Sequence, residues 1–143
     1  QAITANTRAN ISGLNATITP STMSKRIKVT VRWNGEYSNS ANNNIVFGIK
    51  RDSTDIGNPP AAASRNVGIA IIAQGHFDAE ASGTPDSAMY SYIDSPVTTS
   101  ATIYHATFIN VSSGTLYNQR TVSDTDFAYM ERLTSSITLE EID

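Results

Sequence analysis

Between residues 25 and 37 apolar side chains fall on every second position, with Ile27, Val29, Val31 and Trp33 alternating with Lys28, Thr30, Arg32 and Asn34. A strand sends successive side chains to opposite faces, so this spacing predicts one dry face and one wet face. A helix would scatter the same four residues around its axis. A segment of this kind belongs in a sheet, and a sheet with one greasy face must lay it against a second layer.

The same period recurs along the chain. Over 44–50, Ile45, Phe47 and Ile49 alternate with Val46, Gly48 and Lys50. Over 88–94, Tyr90 and Tyr92 share one phase and Met89 and Ile93 the other. Over 101–111, Ile103, His105, Thr107, Ile109 and Val111 alternate with Thr102, Tyr104, Ala106 and Phe108. Shorter strands are expected at 115–121 and 136–142, and 9–11 with 14–19 reads as one strand broken around Gly13. The run 66–78 is apolar on both phases, which predicts a strand covered on both faces, either central in a sheet or against a neighbouring subunit.

The links carry turn chemistry: an Asn-rich stretch at 39–43, Gly57 with a Pro pair in 52–60, Gly83 and Pro85 in 81–86, and Ser-Ser-Gly at 112–114. One helical turn is expected at 124–132, with Asp124 as its N-cap. About eight strands at this spacing predict an all-β, antiparallel jelly roll or β-sandwich. A single domain over 1–143 fits the 143 residues of the chain.

Composition narrows the partners. Charged residues make up 16% and the formal net charge is −3, so the chain has no basic field for a phosphate backbone, which argues against nucleic acid. Ser, Thr and Asn form about a third of the chain and give it a neutral polar coat. With no cysteine there is no disulfide, no thiolate zinc site and no cysteine nucleophile. No window approaches a membrane span, so no membrane insertion is expected. The first residue is Gln1 rather than Met, and the expectation is a processed piece of a longer polypeptide with more chain upstream.

Candidate chemistry is sparse. His105 lies on a strand phase with Ile103, Thr107 and Ile109 and reads as a packed or interface histidine rather than a base. His76, Asp78 and Glu80 in H-F-D-A-E share one side of a strand end, a spacing too loose to define a metal site. The pairs Asp124/Asp126 and Glu140/Glu141 are neighbours on a turn and a chain end, not opposed carboxylates across a cleft. Trp33 keeps the phase of the core residues, whereas Tyr90 and Tyr92 beside Asp94 form an aromatic and polar strip that could meet a glycan. The expected ligand contacts are Tyr90, Tyr92, Asn42 and Asn43. No catalytic residue, metal or cofactor is expected, and the chain reads as a non-enzyme.

Several strings, ISGLNATITPSTMSKRIKVTV (11–31), GIKRDSTDIG (48–57), YIDSP (92–96), TTSATIYHATF (98–108) and LYNQRTVSDTDFAYMERLTSSITLEEI (116–142), occur in order along most of the chain. The series resembles the C-terminal β domains of tailed-bacteriophage fibres and related virion proteins, particularly of marine and cyanobacterial phages. The resemblance implies a jelly-roll protomer that assembles as a homotrimer on the virion surface, joined to other virion proteins upstream. It implies a tail-fibre or receptor-binding tip domain that contacts a host surface polysaccharide or protein through loops 39–43, 56–64 and 79–87. A capsid decoration or head-fibre protein with a structural role is the alternative, and a glycan-cleaving domain a third reading. The resemblance carries no catalytic motif.

The matching residues read as structural: Gly13, Pro20, Asp52, Gly57, Asp94, Pro96, Arg120 and the terminal Ile137, Leu139 and Ile142. Trp33 joins them as core. Asp52 and Gly57 would shape their link, Gly57 through a positive φ. Asp94 would hold an Asx turn before Ser95 and Pro96. Arg120 would pair with Asp124 or Asp126. The doubly apolar run at 66–78 supplies an independent reason to expect an oligomer.

Overall fold

The computed structural model describes residues 1–3, 7–38, 45–61, 63–72, 83–110, 114–128 and 130–143. The strands are β1 (Ala2–Ile3), β2 (Ala9–Ile18), β3 (Arg26–Tyr37), β4 (Ile45–Arg51), β5 (Thr54–Ile56), β6 (Asp86–Asp94), β7 (Thr102–Asn110), β8 (Gly114–Asn118) and β9 (Ser136–Ile142), and all but β1 and β5 lie where the alternation predicts them. No helix forms among the described residues.

Pairing is antiparallel throughout and nested, β1 with β8, β2 with β7, β3 with β6 and β4 with β5. That nesting is a long hairpin rolled into two facing sheets, so the chain is a jelly roll. One sheet runs β1-β8-β3-β6 and the other β2-β7-β4-β5. The last strand position is split: β8 pairs with Gly35–Tyr37 of β3, and β9 pairs with its Arg26–Arg32.

The inner faces are the predicted dry ones. Ile27, Val29, Val31 and Trp33 of β3 face Ile45, Phe47 and Ile49 of β4, all without solvent exposure. Phe47 is the hub, with ring centroids 5.1 Å from Trp33, 5.4 Å from Phe108 and 6.0 Å from Tyr90. Offset and edge-on pairs at these distances add to the area that the rings bury. On β2, Ile11 and Leu14 both point inward although three positions apart. The register against β7 shifts between Asn10 and Asn15, and Gly13 sits there at φ 77°, so a bulge around the expected break restores the inward phase.

Two expectations are corrected. Over its described part, residues 66–72, the doubly apolar run is not a strand and makes only a bridge from Ala70 to Phe47. Its remainder, 73–78, lies outside the described residues. The described residues of 124–132 form bends and a turn instead of a helix, and Asp124 pairs with Arg132 at 2.5 Å rather than capping. Two short strands, β1 and β5, carry too few residues to show a period.

The excursion between β8 and β9 is tied back to the sandwich by polar groups. Glu36, almost fully buried on β3, accepts from the Val122 N–H at 2.6 Å and the Thr84 N–H at 3.3 Å. Ser135 Oγ accepts from the Asn34 N–H at 2.9 Å, and the Gln119 N–H donates to the Asn34 carbonyl at 2.8 Å. A buried carboxylate loses water on folding, and backbone donors replace it.

Candidate binding surface

The outer face of the second sheet is where the fold departs most from a plain sandwich. β5 stops at Ile56, and Gly57 turns the chain at φ 71°. A side chain at that position would also meet the Tyr92 ring at 2.8 Å and Ile69 at 3.0 Å. The chain then returns along β4: the Phe47 N–H donates to the Ala70 carbonyl at 2.7 Å, and the Ile69 N–H to the Phe47 carbonyl at 2.8 Å. Residues 69–70 thus take the place on β4 that β5 has vacated, forming a strap.

Arg8 holds the strap from beneath. Its side chain is only 9% exposed and lies over β4 and β7, donating from Nη1 to Thr107 Oγ1 at 2.9 Å and from Nη2 to the Val67 carbonyl. Its Nε lies 3.4 Å from Asp55 Oδ1 on β5. A side chain at Gly48 would stand in the place of the guanidinium, which is why β4 needs a glycine in its middle. Burial lowers the Arg8 pKa and Asp55 works against that shift, but a guanidinium keeps its charge in either case.

On the strap lies an open concavity of about 540 Å³ whose walls come from Val46, Pro59, Pro60 and residues 65–71. The walls are mainly apolar, and Ile71 stands 61% exposed. Among these walls the Asn66 Nδ2 donor is buried without an acceptor, and on the same strap Asn58 Oδ1 is buried without a donor. Buried amide groups are normally satisfied by a protein group or an ordered water, and this unmet donor belongs to a residue that lines the concavity. Arg65 adds an exposed cation among the lining residues. An apolar wall, a fixed donor and a cation together suit a ring with one greasy face and an anionic oxygen.

The expected site residues divide sharply. Tyr90 is buried between the sheets, donates its hydroxyl to the Gly48 carbonyl at 3.1 Å, and has its pKa raised by that burial. Tyr92 is half-buried, its ring packed against Gly57. These tyrosines share the inward phase, so the glycan-facing strip expected at Tyr90 and Tyr92 does not exist in the fold; Met89 and Ile93 occupy the outward phase instead, 74% and 46% exposed. Asn42 and Asn43 lie outside the described residues, as do His76, Asp78 and Glu80.

The structural expectations fare better. Trp33 is core. Asp52 sits at φ 52° and clamps β7, donating its N–H to the Ile103 carbonyl at 2.7 Å and accepting the Ile103 N–H on Oδ1 at 3.1 Å. Pro96 is half-buried in the turn between β6 and β7, followed by Val97 at φ 50°. Asp94 is corrected: its carboxylate makes no Asx turn but points between the sheets, accepting from Arg51 Nη1 at 2.9 and 3.0 Å and from the Tyr104 hydroxyl at 2.7 Å. Arg120 is corrected too. It donates to the Thr121 and Val122 carbonyls and lies 4.2 Å from the centroid of the Tyr117 ring, while Asp124 belongs to Arg132.

His105 lies half-buried on the outer phase of β7, directly opposite Lys50 of β4 and Asn15 of β2. Arg8 and the strap were not singled out from the sequence. The available signal was Gly48: a lone glycine inside an alternating strand marks a close approach by another group. Compared with family models, with characterised proteins and with solved structures, the chain matches none.

Proposed function

We propose that this chain is an attachment domain displayed on the outside of a phage virion, the tip of a tail fibre that contacts a host surface glycan. The observation that supports this reading is the strap concavity, an apolar-walled recess of about 540 Å³ with an unmet buried amide donor and an exposed arginine. Variable contacts on a rigid scaffold are how binding domains work, and this recess is fastened to β4 and to Arg8 from below. A cation above apolar walls favours acidic sugars, whose rings carry an apolar face and a carboxylate.

The test is binding of the purified chain to a panel of neutral and uronic-acid-containing bacterial surface polysaccharides. Acidic polysaccharides should be retained, with Asn66→Ala and Arg65→Ala each weakening retention about tenfold, the size of one charge-assisted or buried hydrogen bond. Binding that both substitutions leave intact, or no binding to any member of the panel, overturns the assignment. Release of reducing ends from a bound polysaccharide would replace attachment with cleavage.

A further inference from the structure

A jelly roll leaves sheet edges, and an exposed edge pairs with other chains unless something blunts it. Most edges of this molecule are blunted. On the second sheet, β5 has only three residues and carries Asp55, and β2 is interrupted by the bulge between Asn10 and Asn15. On the first sheet, β1 has two residues, and β9 carries Glu140 and Glu141, the latter bonded to Ser21. β6 differs. It is nine residues long, has no Pro, Gly or charge between Ser87 and Ile93, and pairs with β3 alone among the described residues.

We infer that β6 is a homodimer edge, pairing antiparallel with β6 of a second copy about a two-fold axis through Ser91, in place of the homotrimer that the resemblance implies. The occupant follows from the sequence of the strand itself. With Ser91 opposite Ser91 of the second copy, Met89 falls opposite the second copy's Ile93 and Ile93 opposite its Met89. Both large exposed apolar side chains of the strand then gain an apolar neighbour. An axis one residue earlier, through Tyr90, would set Met89 against serine and Ile93 against serine. The Ser91 register also keeps Asp86 off any carboxylate, because its partner position is Pro96. A contact of this type is isologous and closes on itself, so it yields a dimer rather than a filament. A single pairing over 88–94 buries little area, so a weak dimer in the micromolar range is expected.

The chain has no cysteine, which makes cross-linking decisive. Light scattering on the 143-residue chain should show a monomer–dimer equilibrium at tens of micromolar. Ser91→Cys should give a covalent dimer on mild oxidation or with a short bismaleimide, because facing Cβ atoms in such a pair are about 5 Å apart. Thr30→Cys is the control: Thr30 faces Ser91 across β3 and β6 on the same outer face. Two Thr30 positions would stand about three strand spacings apart, roughly 14 Å, and should not cross-link by oxidation. Met89→Lys should weaken the dimer at least tenfold without changing the far-ultraviolet dichroism. A monomer at every concentration with Ser91→Cys uncross-linked overturns the inference. So does a trimer, or Thr30→Cys oxidising as readily as Ser91→Cys, which would mean that faces stack instead of edges joining.

Discussion

The two sheets present opposite solutions to the same problem, what to do with an outer face. On the first sheet, Lys28, Thr30 and Arg32 of β3 stand between Met89, Ser91 and Ile93 of β6 and Ser136, Thr138 and Glu140 of β9, and solvent covers them. Lys28 and Glu140 pair at 3.0 Å in the open, where an ion pair contributes little. On the second sheet, Gly48, Thr107 and Ile109 are buried beneath the strap and the Arg8 guanidinium. An open face tolerates change because water replaces whatever is lost. A covered face does not, since the Thr107 hydroxyl and the Val67 carbonyl there have exchanged water for the Arg8 guanidinium.

The largest expected effect breaks the covered face. Arg8→Ala leaves the Thr107 hydroxyl and the Val67 carbonyl unmet and Asp55 without its cation, and should cost about 3 kcal/mol in urea unfolding. Equal stability of the variant and the parent would mean that water reaches beneath the strap. Gly48→Ala comes next, at about 1–2 kcal/mol, because the new methyl displaces the far end of Arg8 rather than backbone. Combined with Arg8→Ala it should cost almost nothing more, and additivity would show that the two positions do not meet.

Alkaline titration probes the link between the sheets. Burial holds the Tyr90 phenol above its ordinary pKa, and burial together with the hydrogen bond to Asp94 does the same for Tyr104. Tyrosines of the unfolded chain ionise near pH 10, so above that pH the unfolded state holds fewer protons than the native one and stability falls as pH rises. Below about pH 10 this contribution is fully present. The midpoint of urea unfolding should drop between about pH 10 and 11.5, by at most about 1.4 kcal/mol per pH unit for each tyrosine. Tyr90→Phe should reduce the slope. A flat profile would place these hydroxyls in water.

The smallest effect belongs to the open face. Arg32→Ala, on an exposed side chain with no hydrogen-bonding or ionic partner among the described residues, should change stability by less than about 0.5 kcal/mol. A loss comparable to that of Arg8→Ala would erase the contrast between the faces.

This contrast also marks how far the sequence could be read. β3, β4, β6, β7 and β9 were legible because each sets one dry phase against one wetter phase, a pattern that depends only on strand geometry. The run at 66–72 misled for the reason that made it conspicuous: apolar residues on both phases say that a segment is covered, not that it is a strand. Tyr90 and Tyr92 were assigned to the wrong side because a strand's two phases are distinguishable only by what each faces, and here methionine and isoleucine face out. Arg120 and Asp94 kept structural work but changed partners, since a charged side chain can reach several groups near in sequence and the fold selects among them.

Two layers of antiparallel strands were therefore determined by the sequence alone, because side-chain alternation is a local property that needs no knowledge of what lies across the core. Which phase faces inward at β6, how Arg8 reaches Val67 and Thr107, and how the strap closes over β4 were decided only in three dimensions. Those contacts join residues far apart along the chain, and no periodicity records a partner that arrives from elsewhere.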